Sequence, residues 1–333
     1  MNLLVTGANG LLGNELCKQL AKDPSIHITA LVRSIPATIQ YPTINYVSGD
    51  ILNFPVLSDV LRKNGIDTIV HCAATVSFLK KDERVLFETN VSGTSNIINA
   101  ALQENVSRLI HISSVAAIGK PEKVLDSKEP VRIDETFKWT ETPLNSNYAK
   151  SKYLAELEVW RGQAEGLKTV ILNPSTILGT GELSRSSTQL FNYIYKGNRF
   201  ITAGSINYID VNDLIQVVKN ILSGTIENER YIVSAGAVSY QQFFGLMADA
   251  MGKSRPNLKL GKAAVELLWR LEAVRSFLTG SKPLITKETS ISARSNICFD
   301  SSKLKTKFNF TFTPLEDTIK RVCNELNLSQ PTK

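Results

Sequence analysis

Along the first half of the chain, short apolar runs take turns with stretches of helical period. The runs at residues 1–6, 26–32, 44–48, 68–71, 108–113 and 168–172 have the length of buried parallel strands. Leu11–Leu20 carries apolar residues at helical spacing, and a further helix is expected through Gly93–Gln103. Strands alternating with helices in this way predict a doubly wound, parallel α/β sheet. Ligands settle at the carboxyl ends of the strands in such sheets, so the residues just after each run matter most. Further along, Ala263–Leu278 puts Val265, Leu268, Leu271, Val274 and Leu278 on one helical face, with Glu266, Arg270, Glu272 and Arg275 elsewhere. That pattern predicts a helix walling the core of a smaller domain rather than an anchor lying on a membrane.

The first run leads into Thr6-Gly-Ala-Asn-Gly-Leu-Leu-Gly13. Gly7, Gly10 and Gly13 fall at a strand-to-helix turn, where a tight bend, close approach of a pyrophosphate and close helix–strand packing each require a missing side chain. The helix N-terminus beyond offers N–H donors and partial positive charge to phosphates. The spacing is G-x-x-G-x-x-G rather than the G-x-G-x-x-G of the common dinucleotide fingerprint. About twenty residues on, that fingerprint places an acidic residue for the ribose hydroxyls of NAD. Here the second run ends in Arg33-Ser34. A guanidinium can hold a 2′-phosphate through two parallel donors, which favours NADP over NAD.

The second signal is Tyr148-Ala-Lys-Ser-Lys152. Residues four apart share one face of a helix, so the phenol and the distal ammonium project together. Tyrosine is a poor acid or base near neutrality, with an unperturbed pKa of about 10. An ammonium at roughly 4 Å attracts the phenolate by on the order of 4 kcal/mol before desolvation, so Lys152 is expected to draw the Tyr148 pKa down.

Composition narrows the field. With 333 residues, 43% hydrophobic and 21% charged, the chain can bury one large domain and a smaller one. The net charge is +7, but Lys and Arg read as scattered apart from Lys303-Leu-Lys-Thr-Lys307, which argues against a nucleic-acid groove. Cys17, Cys72, Cys298 and Cys323 form no C-x-x-C pair, and with His27, His71 and His111 they show no metal-ligand spacing. Reduced thiols, a start directly in a strand and the lack of any bilayer-length apolar run lead us to expect a cytoplasmic protein with no metal and no membrane partner.

Taken in order, Thr6–Gly13, Gly49-Asp50-Ile51, His71-Cys-Ala-Ala-Thr75, Asn90-Val-Ser-Gly-Thr94, Ile112-Ser-Ser-Val-Ala-Ala-Ile-Gly119, Tyr148–Lys152 with Leu154-Ala-Glu156, Pro174-Ser-Thr-Ile-Leu-Gly179 and Tyr208-Ile-Asp-Val-Asn-Asp213 resemble the extended short-chain dehydrogenase/reductases. Within that family the chain is most similar to dihydroflavonol-reductase-like NADP oxidoreductases. The resemblance implies a Rossmann-type nucleotide domain over 1–179 and about 200–235, to which Phe200–Leu222 returns. It implies a smaller α/β substrate domain over about 180–199 and 236–333. It places the cofactor along Gly7, Asn9, Gly10, Leu11, Leu12, Gly13, Arg33, Ser34, Asp50, Ile51, Ala73, Ala74, Thr75, Asn90, Ile112 and Ser113, with Pro174, Ser175 and Thr176 flanking the nicotinamide. Tyr148 would be the acid/base, Lys152 would hold the nicotinamide ribose, and Ser114, with Ser113 as the alternative, would give a second hydrogen bond to the substrate oxygen. Simpler roles stay open: Asp50 closing a turn, Asn90 capping a helix.

The expected activity is NADP-dependent reduction of a carbonyl on a small, largely apolar substrate, with Val76, Phe78, Leu79 and the Val265–Leu278 face lining or backing the pocket. A nucleotide-sugar epimerase or dehydratase with bound NAD is the nearer rival. Against it, Ile118, Asn173 and Thr176 replace the Tyr, Arg and Asn usual in that branch. A catalytically silent NADP-sensing regulator is the rival from another class, and such proteins commonly lack the Tyr or the Lys. The family analogy favours a homodimer.

Overall fold

The structure, a computed structural model, describes residues 1–35, 41–125, 127, 129–181, 187–279, 283 and 286–328. Its central layer is a parallel sheet of seven strands: β1 (Asn2–Thr6), β2 (His27–Val32), β3 (Asn45–Ser48), β4 (Thr68–His71), β5 (Arg108–Ile112), β6 (Lys168–Pro174) and β7 (Glu229–Val233). They lie in the order β3-β2-β1-β4-β5-β6-β7. The direction of winding reverses between β1 and β4, which opens a crevice at their carboxyl ends. Both faces of the sheet are covered, as the period-two alternation within each strand requires. Leu3, Val5, Val70, Ile110 and Leu172 pack on one face with helices Leu11–Leu20 and Val211–Ser223. Leu4, Ile69, Leu109 and Ile171 pack on the other with helices Phe54–Lys63, Gly93–Gln103 and Asn147–Ala164.

The remaining chain builds smaller units around this layer. Strand Ser205–Asp210 pairs in parallel with Thr176–Leu178 and antiparallel with Gly236–Ser239, and helices Thr188–Tyr195, Tyr240–Ala250 and Leu315–Glu325 share its core. Thus helix Val211–Ser223 packs on the central sheet while the strand before it belongs to a separate three-stranded sheet. Asp210 joins the two: it caps the helix through Asn212 N and receives Arg321 Nη2 at 2.8 Å from the terminal helix.

Helix Lys262–Thr279 departs from the expected core wall. Val265 is buried, but Leu271 and Val274 are 55% and 57% exposed, so among the described residues these turns are not walled into a core. The side chain of Leu278 lies outside the described residues. Among the described residues no helix is long and apolar enough to cross a membrane.

Candidate active site

The glycine turn sits at the crevice. Gly7 has φ +67°, and a Cβ there would lie 2.7 Å from Ala73 N, just past the end of β4. A Cβ at Gly13 would lie 2.3 Å from Gly7 O, so the helix can start this close to β1 only with glycine in its first turn. Gly10 N donates to Gly7 O at 2.9 Å, and helix Leu11–Leu20 begins with no side-chain cap and no acidic residue in its first turn. Leu12 is buried beneath the turn and Leu11 half-buried. Asn9 Nδ2 donates to Ser34 O at 3.2 Å, fastening the turn to the end of β2. Arg33 and Ser34 are exposed there, and Arg33 makes no ion pair among the described residues. Asp50 is exposed and closes a turn through Leu52 N, whereas Ile51 is buried beside Gly93.

Beneath the crevice runs a directional chain of buried hydrogen bonds. Thr94 Oγ donates to Asn90 O at 2.6 Å, so it must accept from His71 Nε2 at 3.0 Å. His71 Nδ1 is then the acceptor for Thr6 Oγ at 2.7 Å, and Thr6 Oγ accepts from Ala73 N at 3.2 Å. This requires a neutral imidazole, and burial with the nearby Lys152 charge pushes the His71 pKa down to about 3. His111, its ring tilted 36° to that of His71 with centroids 5.2 Å apart, is buried with no partner for either ring nitrogen among the described residues and is likewise held neutral.

Asn90 lies in a π-helical turn, Glu88–Ser92, rather than at a helix cap. Its Oδ1 accepts from Thr75 N at 2.7 Å, and its Nδ2 donates to Thr75 O and to Ser151 Oγ, both at 2.9 Å. It therefore pins the segment after β4 to the helix that bears Tyr148. Ala73 and Ala74 lie between that clasp and the glycine turn, Ala73 half-buried and Ala74 exposed.

Ser114, Tyr148 and Lys152 come together at the end of β5. Ser114 caps a short helical turn through Ala116 N, and its hydroxyl lies close enough to the Tyr148 phenol to favour the phenolate. Burial raises the Tyr148 pKa, and the Ser114 hydroxyl only moderates the rise. Lys152 Nζ donates to Ile112 O at 3.0 Å in a fully buried setting that lowers its pKa to about 8. The expected pull of the ammonium on the phenol is not what sets the Tyr148 pKa, because Lys152 is turned to the strand end and to Glu156. Phe78 meets the Tyr148 ring edge-on, with centroids 5.9 Å apart. Pro174 and Ser175 are buried at the end of β6, and Thr176 opens the next strand.

The NAD dependent epimerase/dehydratase family model matches residues 3–233. The chain belongs to that family. Among its relatives, "Sterol demethylase protein B" of Methylococcus capsulatus is 26% identical over 265 residues, covering 78% of this chain and 77% of the relative. "Putative dihydroflavonol 4-reductase" of Synechocystis is 29% identical over 260 residues, covering 76% and 73%. The crystal structure of UDP-glucose 4-epimerase from Thermotoga maritima, with UDP-glucose, shares the fold with a TM-score of 0.77 at 18% identity, covering 98% of this chain and 99% of that one. Membership makes the protein an NAD(P)-dependent enzyme of CH–OH and C=O chemistry.

The residues present fit the family's dinucleotide. Two glycine positions have no room for a Cβ, and the helix behind them begins uncapped, the arrangement that receives a pyrophosphate. The family site also contains a group to which the sequence pattern assigned no role. Glu156, 0% exposed, receives Ser113 Oγ and Asn173 Nδ2 on one oxygen and Arg230 Nη1, at 3.3 Å, on the other. Asn173 Nδ2 also donates to Ser114 O at 2.8 Å. Burial raises the Glu156 pKa against these donors. The available signal was spacing, since Glu156 follows Lys152 by four residues on the same helical face. The carboxylate holds Ser113 directly, reaches the Ser114 backbone through Asn173 and acts on Lys152 through charge.

Proposed function

We propose that this protein is an NADP-dependent reductase of a ketone or aldehyde group on a small, largely apolar molecule. The observation that carries the reading is the Tyr148 phenol beside the Ser114 hydroxyl, with Lys152 one turn further on and fixed to the end of β5. Bound NADPH supplies hydride chemistry. Tyr148 keeps its proton at neutral pH because burial raises its pKa, so it acts as the acid that protonates the substrate oxygen. Ser114 presents a second donor to that oxygen as negative charge develops there. Lys152 holds its position through Ile112 O and places a positive charge below the ribose end of the crevice.

Arg33 supports the choice of NADP, because it stands exposed at the end of β2 where a carboxylate would repel a 2′-phosphate. Phe78 beside Tyr148 supports an apolar substrate, as does a sterol enzyme among the relatives. The sugar-nucleotide alternative loses ground at Asn173: its side chain is buried and its Nδ2 is already engaged with Ser114 O and Glu156, which leaves it no donor for a diphosphate. The test is NADPH consumption across a panel of hydrophobic aldehydes and ketones, beside calorimetry with UDP- and GDP-sugars. Turnover of apolar carbonyls is expected. Micromolar sugar-nucleotide binding with no reduction across the panel would replace this reading with an epimerase or dehydratase.

A further inference from the structure

Helix Lys262–Thr279 leaves an apolar stripe uncovered. Leu267, Leu271 and Val274 stand at i, i+4 and i+7, so they share one face, and each is more than half exposed. Just upstream, the paired strands Phe200–Ile201 and Leu258–Lys259 set Phe200 beside Leu258 in register, both nearly half exposed. Tyr195 is exposed as well, with Lys253 Nζ 5.1 Å from its ring centre. Exposed apolar side chains that share one face, as Leu267, Leu271 and Val274 do, are the surface that contact sites use.

Basic charge falls in the same stretch of sequence. From Asp249 to Lys287 the chain has eight Lys/Arg against three Asp/Glu, so these 39 residues hold +5 of a formal net charge of +7. The basic excess that reads as scattered over the whole chain is therefore local. Lys253, Lys259, Lys262, Arg270 and Arg275 all occupy exposed positions. Arg255, Arg270 and Arg275 pair with Asp249, Glu266 and Glu272, so the formal excess is carried by lysines, Lys253 and Lys259 among them. A one-sign excess bordering an apolar ridge complements a surface of many negative headgroups over hydrocarbon. We propose that helix Lys262–Thr279 and the lysines at its entry dock the protein peripherally on an anionic phospholipid bilayer.

The docking helix is tied to the candidate site. Arg294 Nη1 meets Glu266 at 3.5 Å, and Glu288, on the helix Lys287–Ser292, accepts from Asn147 N at 3.4 Å, next to Tyr148. Docking would hold the substrate side at the membrane, where an apolar carbonyl dissolves; this clause alone rests on the proposed function.

Co-sedimentation of the intact protein with phosphatidylserine–phosphatidylcholine vesicles tests the proposal without any substrate, so its outcome is independent of the reductase assay. Binding is expected at low salt. It should weaken at least about tenfold on pure phosphatidylcholine, with Leu267→Glu/Leu271→Glu, and with Lys253→Gln/Lys259→Gln, while NADPH affinity and the unfolding midpoint of both variants stay at wild-type values. The proposal is overturned by absence of binding to anionic vesicles or by binding indifferent to both variants. It is also overturned if Leu267→Glu/Leu271→Glu converts a dimer into monomers in light scattering, which would make the stripe an interface between copies.

Discussion

Helices Asn147–Ala164 and Lys262–Thr279 are both eighteen residues long and bury opposite things. The first carries Ser151, Lys152 and Glu156 into the interior, each no more than 2% exposed. The second holds Leu267, Leu271 and Val274 out to solvent. Burying a charge costs several kcal/mol unless it is paired and hydrogen-bonded, so a fold retains such residues inside only with partners arranged in advance. Asn147–Ala164 has those partners on β5, β6 and β7. On the proposed function and the proposed docking, the first helix carries the chemistry and the second the surface contact.

The largest expected effect comes from removing the proton donor at the head of the first helix. Tyr148→Phe should lower single-turnover hydride transfer by about 10²–10⁴-fold while leaving NADPH affinity within about twofold, because Ser114 and Lys152 remain in place. Near-normal hydride transfer would strip Tyr148 of its role.

Glu156 should matter nearly as much, through stability. Glu156→Ala leaves Arg230, Ser113 Oγ and Asn173 Nδ2 without their common acceptor, and breaking a buried pair costs about 3–5 kcal/mol. Urea unfolding measures this directly. A loss below about 1 kcal/mol would mean that the carboxylate is not the keystone of the seam.

Lys152 gives the seam a pH signature. Its pKa falls to about 8 when folded, against about 10.4 for an unperturbed lysine. Between those values the unfolded chain binds more protons than the native one, so this group's contribution makes stability rise with pH. Relative to Lys152→Met, the wild type should gain about 2 kcal/mol on going from roughly pH 7.5 to 9.5. A constant gap between the two would place the ammonium in a solvated setting.

These buried residues also mark where the sequence stopped being legible. Apolar period alone located the first six strands of the central sheet and helix Leu11–Leu20, because burial on both faces of a sheet leaves a strong local pattern. Tyr148 and Lys152 were readable from their spacing. Glu156 was not, since its meaning lies in Arg230, 74 residues away, and in Asn173 on a neighbouring strand. The same limit explains the misread wall: a stripe at helical period shows that a face is apolar, but only tertiary packing decides whether anything covers it. Strand β7 escaped notice because its first half, Glu229-Arg230, is polar at the sheet edge.

Away from both helices, Arg33→Asp tests the cofactor preference. Removing the paired donors from the 2′-phosphate should cost about 1.5–3 kcal/mol of NADPH affinity, at least a tenfold loss, with little change for NADH. Titration of both cofactors decides it, and equal or tighter NADH binding by the wild type would shift the preference to NAD.

The smallest effect is expected on the second helix, and it sharpens the comparison most. Leu271 is 55% exposed, so Leu271→Gln forfeits little burial and should change unfolding free energy by less than about 0.5 kcal/mol. A leucine facing the core would cost about 2–5 kcal/mol when truncated to alanine, so urea unfolding of Leu271→Gln and Leu271→Ala discriminates clearly. If both are neutral in dilute solution yet Leu271→Gln weakens vesicle binding, the residue's apolar character is used outside the folded chain. If either destabilises by several kcal/mol, the helix is the core wall that its periodicity predicts, and the contrast with Asn147–Ala164 disappears.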